Sequence, residues 1–320
     1  MNNLSAFFKL IRVTNLLIIF FTQIIIKLCL ISFYLEDSAL SHINFIIYLI
    51  ALITIVAGGY IINDIYDIEI DKINKPEKIV IGKVICKNNA YNLYYLLNII
   101  GLAAGFYVAN QIDKSWYGFI FLFFTFSLWI YSKEYKTSFL FGNIYVAFLI
   151  ALSILTLAIY DLLPIGINDT NGSKIIFYII LAYSAFSFIT TLIREIIKDL
   201  EDIEGDKKIG ANTVAIRLNL SRTKILISLL IMIAIIGIGY FQYFQYSVFF
   251  STFSINLNYW GVNLTSILYT FFIQIILLIL IIKIQLATKK ESFTFLSKLC
   301  KICMIFGILS IPLFSYLHLN

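Results

Sequence analysis

Two clusters of acidic side chains carry most of the chemistry that this sequence could perform. The first lies between Asn63 and Asp71, with Asp67 midway between them. In a continuing helix the four-residue spacing places these three side chains on one face, with Asp64 beside that face and Glu69 pointing away. Carboxylate and amide oxygens without neighbouring His or Cys are the ligands that a hard cation such as Mg²⁺ prefers. The first cluster is therefore a candidate magnesium site.

A second acidic cluster follows later in the chain. Glu195, Asp199, Asp202 and Asp206 are spaced by four, three and four residues, so a helix again places them on one face. Like charges at these spacings destabilise a helix unless cations lie among them. Ionisable groups at the membrane end of a helix are energetically unfavourable and usually functional. The spacing therefore predicts a second cation site.

Together the two clusters could bind a diphosphate. Magnesium typically bridges a few carboxylates to substrate phosphates rather than occupying an all-protein cage. Two facing clusters would hold a diphosphate through such ions, and nearby basic side chains would neutralise the remaining oxygens. The candidate basic residues are Lys78, Lys136, Arg194 and Lys198. Each acidic stretch could instead be a solvated helix end, but two of them at matching helix ends favour a shared site.

The elements that must position these clusters are membrane-spanning helices. The chain has 320 residues, of which 61% are hydrophobic and 13% are charged, about half the charged fraction of a soluble protein. Runs of roughly 17–25 apolar residues can cross a bilayer as helices. The sequence contains nine such runs, near 14–34, 44–63, 91–111, 115–131, 142–160, 175–193, 224–245, 263–286 and 300–317. We therefore expect an all-α integral membrane protein with nine transmembrane helices.

The charges of the connecting loops predict the orientation of these helices. Lys and Arg concentrate in the N-terminal segment and in every second loop, whereas the alternate loops carry mainly Asp and Glu. The positive-inside rule places the basic loops and both acidic clusters on the cytoplasmic side of the cell's inner membrane. An odd number of helices then leaves the N-terminus in the cytoplasm and the C-terminus outside. The net charge of +6 reflects contact with anionic membrane lipids and does not require nucleic acid.

The pattern indicates one domain over residues 1–320 with a weak internal repetition. Each cluster continues into an Asp-Lys pair, at Asp71 and at Asp206, and a glycine follows later in each case. We expect two pseudo-repeats with aspartate motifs at 63–71 and 199–206.

At the acidic clusters the sequence resembles the UbiA superfamily of intramembrane prenyltransferases. That family carries the motif NDxxDxxxD after its second helix, and the stretch from Asn63 to Asp71 matches it in full. Its second motif, DxxxD, is matched by Asp202 and Asp206. The resemblance extends over the whole chain through the nine-helix plan, while the specific motifs cover about four short stretches.

Two shorter elements of the family also have counterparts. The family's NKPxR loop corresponds to residues 74–78, with Lys78 in place of Arg. Its Tyr…Lys element after the fourth helix corresponds to Tyr131 and Lys136, spaced by five residues where many members have four. Together with the charge pattern, the resemblance implies that the substrate-binding residues are Asn63, Lys78, Tyr131, Lys136, Arg194 and Lys198.

The resemblance implies that the chain transfers a prenyl group from a prenyl diphosphate to an acceptor, in a bundle around a central cavity that opens near the cytoplasmic side. Magnesium and basic residues would stabilise the departing diphosphate. The remaining allylic carbocation needs a dry site, and aromatic faces can stabilise it. The implied catalytic residues are Asp67, Asp71, Asp202 and Asp206, and the implied metal ligands are Asn63, Asp64, Asp67, Asp71, Asp199, Asp202 and Asp206.

The acceptor is a lipid or an aromatic compound. The second cluster looks most like the branch acting on geranylgeranylglyceryl phosphate, an ether-lipid precursor. Branches that prenylate aromatic acids or quinone precursors, such as 4-hydroxybenzoate, share the core motifs and are the first alternative. CDP-alcohol phosphotransferases also use paired aspartates, but their DGxxAR stretch is absent from this sequence. Ion-coupled transporters are a third class, yet they place carboxylates near the bilayer midplane rather than at helix ends.

Overall fold

The apolar segments form long helices. The computed structural model describes residues 3–74, 76–77, 79–167, 172–208, 210–252 and 260–319. Within these ranges the regular structure is helical, apart from one isolated bridge between Ile81 and Ile85. In chain order the α-helices are α1 (Asn3–Leu10), α2 (Val13–Ile26), α3 (Ser32–Tyr34), α4 (His42–Tyr66), α5 (Ile68–Asn74), α6 (Lys87–Gln111), α7 (Gly118–Lys133), α8 (Phe141–Asp161), α9 (Ser173–Glu201), α10 (Ile203–Lys208), α11 (Val214–Thr252), α12 (Leu264–Leu286) and α13 (Lys290–Leu319).

Among the described residues, nine helical segments are long and apolar enough to cross a membrane. The first, Val13–Tyr34, combines α2, a π-helical stretch at Lys27–Ile31 and α3. The other eight contain α4, α6, α7, α8, α9, α11, α12 and α13. The prediction of nine spans is confirmed, although several helices continue beyond their apolar run. Helix α9, for example, reaches Glu201 instead of residue 193, because a helix does not need apolar side chains once it leaves the lipid.

The nine spans close into a ring. Helix α2 packs against α4, α8 and α13, while α9 packs against α8, α11 and α13, so the first and last spans are in contact. One buried apolar group joins α2, α4, α6 and α8, and a second joins α9, α11, α12 and α13. The close packing of α4 on α6 depends on Gly101, where an added Cβ would lie 2.5 Å from Ile55. Small residues at such contacts allow two helix backbones to approach each other.

Helix α11 contains a break near its start. Asn219 has a φ of 62° and a ψ of 172°, and its Oδ1 accepts a hydrogen bond from the backbone N–H of Arg222 at 3.2 Å. Asn is one of the residues that tolerate a positive φ, and its side chain caps a new helix start. The membrane portion of α11 therefore begins just after Asn219, close to the predicted start at 224.

A buried ion pair joins the first span to the end of α8. Lys27 Nζ lies 2.6 Å from Asp161 Oδ2, and the two side chains are 1% and 0% exposed. Lys27 also donates to Ser38 Oγ and to the carbonyl of Leu40, both at 3.0 Å. The other carboxylate oxygen, Asp161 Oδ1, accepts the backbone N–H of Leu40 at 2.8 Å. Asp161, the last residue of α8, is therefore fully buried, and its carboxylate anchors the loop that contains Leu40.

Candidate active site

The first acidic cluster lies at a bend in the helical path. Helix α4 ends at Tyr66, and Asp67 has a φ of −85° and a ψ of 0°, whereas an α-helix needs a ψ near −42°. The backbone N–H of Asp67 still donates to the carbonyl of Asn63 at 2.9 Å, and that of Asp71 to the carbonyl of Asp67 at 2.8 Å. The expectation of one continuing helix from Asn63 to Asp71 is therefore wrong in detail: α5 starts in a new direction after Asp67.

The second cluster has the same local geometry. Helix α9 ends at Glu201, and Asp202 has a φ of −102° and a ψ of 8° before α10 begins. The N–H of Asp202 donates to the carbonyl of Lys198 at 2.9 Å, and that of Asp206 to the carbonyl of Asp202 at 3.2 Å. The single helical face predicted here is likewise divided at Asp202. This shared geometry is what an internal duplication would produce, and the duplication itself stays a prediction.

The two clusters are fastened to each other by Asn74. Its Nδ2 donates to the carbonyl of Asp202 at 3.2 Å, and its Oδ1 accepts the backbone N–H of Gly205 at 3.0 Å. Gly205 is required at this contact, since an added Cβ would lie 2.4 Å from the Asn74 amide. The short helices α5 and α10 that follow the two bends are therefore held together.

Tyr131, near the end of α7, lies beside both clusters. It is within electrostatic range of Asp67 in the first cluster and of Glu195 and Asp199 in the second. The contacts of Asn74 with Asp202 and Gly205 bring the two clusters together, and a substrate site shared by both clusters stays a prediction.

Basic side chains compensate the first cluster. Lys136 forms an ion pair with Asp67 Oδ2, which also accepts the Asn63 Nδ2 amide at 2.5 Å. Arg12 Nη2 pairs with Asp64 Oδ1 at 2.6 Å. Burial disfavours the charged form of Lys136, but the carboxylate of Asp67 outweighs burial and holds the pKa of Lys136 above its ordinary value. The first cluster is thus a set of oxygens already positioned by cations.

The second cluster is held by its own neighbours. Glu195 accepts Arg194 Nη1 and Lys198 Nζ, both at 2.8 Å. Asp199 Oδ2 accepts the amide Nδ2 of Asn143 from α8 at 3.1 Å. Arg194 and Lys198 therefore lie where the sequence placed them, with Glu195 as their partner in this structure, and their contact with a substrate stays a prediction.

The remaining predicted residues divide into three groups. Asp206 lies in α10, after the bend at Asp202, and is buried; Asp71 lies in α5, after the bend at Asp67, and is half-buried. Glu69 faces away as predicted, since it is exposed and pairs with Lys72 at 2.7 Å. Lys78 lies outside the residues that the structure describes.

Sequence reasoning did not assign several residues that the structure brings to the site. These are Arg12, Asn74 and Asn143, whose partners lie 52, 131 and 56 residues away in the chain. Arg12 and Asn143 are polar residues at the start of an apolar segment, and Asn74 begins the stretch that resembles the family's NKPxR loop; these are the signals that could have identified them. The identity of the partner depends on the packing of the helices and has no local signature.

The donor set fits magnesium. Both clusters offer carboxylate and amide oxygens without His or Cys, which suits Mg²⁺ rather than a transition metal. Within the described ranges no group of three or more His, Cys, Asp or Glu side chains is gathered closely enough to hold a metal ion by itself. Magnesium does not need such a cage, because it takes one or two carboxylates together with substrate phosphates and water.

An apolar cavity lies next to the second cluster, among the membrane-spanning helices. It lies between α2, α8, α9 and α13, has a volume of about 110 Å³, and is lined by Ile, Phe and Met side chains together with Ser, Thr and Tyr residues. Along α2 its lining runs from Asn15 to Ile26, about 16 Å at 1.5 Å per residue. Its polar end contains Tyr60 and Arg194, and Arg194 binds the cluster residue Glu195. The bundle therefore contains an elongated apolar cavity with charged residues at one end.

Comparison with known proteins gives consistent results. A protein-family model for the UbiA prenyltransferase family matches residues 26–299. A digeranylgeranylglyceryl phosphate synthase of Sulfurisphaera tokodaii is 30% identical over 298 residues, which cover 91% of this chain and 93% of the relative. A structure concerning digeranylgeranylglyceryl phosphate synthase superposes with a TM-score of 0.64 at 25% identity, covering 98% of this chain and 99% of the other.

A UbiA homologue from Archaeoglobus fulgidus, solved bound to GPP and Mg²⁺, shares the fold. It superposes with a TM-score of 0.54 at 15% identity, covering 96% of this chain and 99% of that chain. The family match spans most of the sequence and includes both acidic clusters. The chain therefore belongs to the UbiA prenyltransferase family.

Proposed function

We propose that this integral membrane prenyltransferase uses magnesium to transfer a prenyl group from a prenyl diphosphate to geranylgeranylglyceryl phosphate. The observation that carries the proposal is that two acidic clusters, joined through Asn74, lie beside the polar end of an apolar cavity, where Arg194 binds Glu195. The naming of the Sulfurisphaera tokodaii relative as a digeranylgeranylglyceryl phosphate synthase supports the choice of acceptor. A family of prenyltransferases leaves no support for the transporter or CDP-alcohol alternatives.

The side chains divide the work as follows. Bound magnesium would neutralise the diphosphate oxygens while the bond between the prenyl carbon and the diphosphate oxygen breaks. We assign Lys136 and Lys198 to oxygens of the diphosphate, and Arg194 to a phosphate oxygen of one of the two substrates; all three basic groups already pair with carboxylates of the clusters. The acceptor hydroxyl oxygen then forms a bond to the allylic carbon, and its proton passes to the departing diphosphate. The proposed magnesium ligands are Asn63, Asp64, Asp67, Asp71, Asp199, Asp202 and Asp206.

The surrounding protein keeps this reaction dry. An allylic carbocation reacts with water, so the apolar cavity protects it until the acceptor arrives. Tyr131 is within electrostatic range of both clusters, and an aromatic ring there would stabilise a developing positive charge. We propose Tyr131 as the aromatic group that stabilises the cation.

Purified protein in lipid nanodiscs tests this function. With geranylgeranyl diphosphate and geranylgeranylglyceryl phosphate we expect a doubly prenylated glycerol phosphate, detected by mass spectrometry, only when Mg²⁺ or Mn²⁺ is present. A chelator should abolish the product and excess Mg²⁺ should restore it. Prenylation of 4-hydroxybenzoate in place of the lipid would reassign the acceptor, and full turnover in chelator would refute the metal requirement.

We further propose that the enzyme lies in the cytoplasmic membrane with its acidic clusters facing the cytoplasm. The support is the concentration of Lys and Arg in the loops that adjoin the clusters. The two ends of α6 offer a direct test, because Cys86 immediately precedes α6 and is exposed, while Ser115 lies just beyond its other end and is also exposed.

A membrane-impermeant maleimide should label Cys86 only when the cytoplasmic face is accessible. A Ser115→Cys variant that also carries Cys86→Ser should be labelled from outside in intact cells. The three other cysteines are buried or half-buried and are common to both proteins, so they serve as background. The opposite pattern would place the active site outside the cell.

A further inference from the structure

A second concentration of positive charge lies at the polar end of the apolar cavity. Arg194 from α9 and Lys301 from α13 both line this end, together with Asn15 and Tyr60. Cations within membrane-spanning segments are energetically unfavourable, and they usually face a partner or mark a pathway for a charged ligand. The partners that the protein supplies to these two cations therefore indicate what else binds here.

The protein compensates only part of this charge. Arg194 shares the single carboxylate of Glu195 with Lys198, each at 2.8 Å. Lys301 Nζ donates to Asn15 Oδ1 at 2.7 Å, and this amide oxygen is neutral. Glu195 is thus already opposed by two cations, and Lys301 adds positive charge to the same cavity wall.

Arg194 also offers a further hydrogen-bond donor, its Nε. Its Nε is buried and, in the part of the chain that the structure describes, has no hydrogen-bond partner. Nε is one arm of the fork with which a guanidinium binds two oxygens of a phosphate. A buried donor in this situation is stabilised by an incoming oxygen. The polar end of the cavity is therefore suited to an anion with several oxygens that is attached to an apolar chain.

We propose that Arg194 and Lys301 bind the phosphate monoester of the acceptor lipid, whose hydrocarbon chain lies in the cavity between α2, α9 and α13. This inference rests on the proposed function and extends it, because it gives the acceptor headgroup its own site. A phosphate monoester carries about 1.5 to 2 negative charges at pH 7, which the two cations balance without a metal ion.

The donor diphosphate is better matched by the acidic clusters. Magnesium couples carboxylates to phosphate oxygens, and the clusters supply those carboxylates. The polar end of the cavity instead presents the hydrogen-bond donors of Arg194 and Lys301, which can contact an anion directly. With the donor diphosphate at the acidic clusters and the acceptor phosphate at Arg194 and Lys301, the two negative charges stay apart while both lipids share one reaction space.

The variant Lys301→Gln tests the assignment in the full-length enzyme in nanodiscs. We expect its KM for geranylgeranylglyceryl phosphate to rise about ten- to a hundredfold, the usual loss for one charge-assisted hydrogen bond. Its KM for the prenyl diphosphate should stay within about twofold of the unaltered protein. Lys301→Arg retains the charge and should recover most of the acceptor affinity.

Lys298→Gln is the matched control. Lys298 is exposed on the same helix, so the control removes an equal charge near the same membrane surface without touching the cavity. Its KM values should equal those of the unaltered protein. An unchanged acceptor KM in Lys301→Gln, or a rise confined to the donor KM, would overturn the assignment.

Equilibrium binding separates this proposal from the proposed function. The unaltered protein should bind geranylgeranylglyceryl phosphate more tightly than geranylgeranylglycerol, and Lys301→Gln should lose that preference. If the enzyme prenylates no glycerol lipid, the proposed acceptor fails, and a preference for the phosphorylated lipid that depends on Lys301 would still support the phosphate site. Equal binding of both lipids by the unaltered protein refutes the phosphate site even where turnover is observed.

Discussion

Replacing any one of Asp67, Asp71, Asp202 and Asp206 with Asn is expected to lower kcat by roughly 30- to 1000-fold, or about 2–4 kcal/mol of transition-state stabilisation. The reason is that all four carboxylates are proposed to act through magnesium on the same diphosphate. Single-turnover assays with both substrates saturating measure the loss at the chemical step. Because the four act as a unit, a double variant with one change in each cluster should lose far less than the product of the two single effects.

The same variants should remain folded. Neighbouring carboxylates repel one another, so neutralising one relieves repulsion within its cluster. At Asp67 this gain is opposed, because its carboxylate forms the ion pair with Lys136 and accepts the Asn63 amide. We therefore expect Asp67→Asn to unfold at a lower temperature than the unaltered protein, yet to remain monodisperse in detergent.

Glu69→Gln is the matched control for these variants. Its side chain is 77% exposed, and its partner is Lys72 rather than any site residue, although it lies between Asp67 and Asp71 in sequence. Activity should be unchanged. If Glu69→Gln and the four aspartate variants had equal rates, the shared magnesium site would be wrong; if the aspartate variants failed to fold, the clusters would be structural.

The sequence was sufficient to predict the membrane-spanning helices and the chemical character of the two acidic clusters. Long apolar runs determine which segments cross the bilayer, and each of the nine became a helix. The spacing of the aspartates identified both clusters because helical periodicity is local. Lys136 was also found, although its five-residue spacing from Tyr131 departs from the common pattern. A 3₁₀ turn at Tyr135–Thr137 follows α7, and Lys136 within it forms an ion pair with Asp67.

The contacts that the sequence could not predict depend on packing between segments far apart in the chain. The bends at Asp67 and Asp202 are local, yet their consequence is the contact of Asn74 with Gly205, 131 residues apart. Likewise Arg12 reaches Asp64 only because the start of α2 lies beside the end of α4. Such partners depend on how the ring of helices closes, and no periodicity within one segment encodes that arrangement.

Removing either charge of the buried pair between Lys27 and Asp161 is expected to destabilise the protein by about 3–5 kcal/mol, because the remaining charge is left uncompensated away from water. Lys27→Met strands a carboxylate that must then be neutralised, and Asp161→Asn strands an ammonium group. The double variant, Lys27→Met with Asp161→Asn, has neither charge, and the amide oxygen that it introduces can still accept the N–H of Leu40. We expect the double variant to be more stable than either single variant.

Unfolding in detergent, followed by circular dichroism, measures these differences, and Asp37→Asn is the control. Asp37 is exposed in the same outer loop, so its neutralisation should leave the unfolding transition unchanged.

Lys27 lies about 22 Å along the first span from Arg12, at 1.5 Å per residue, and Arg12 marks the end that holds the acidic clusters. The folded fraction of each variant should therefore keep its kcat. Equal stability of Asp161→Asn and Asp37→Asn would mean that the ion pair does not contribute to stability. A double variant that is less stable than both single variants would mean that the hydrogen bonds to Ser38 and Leu40, rather than the charge balance, hold this end of the bundle.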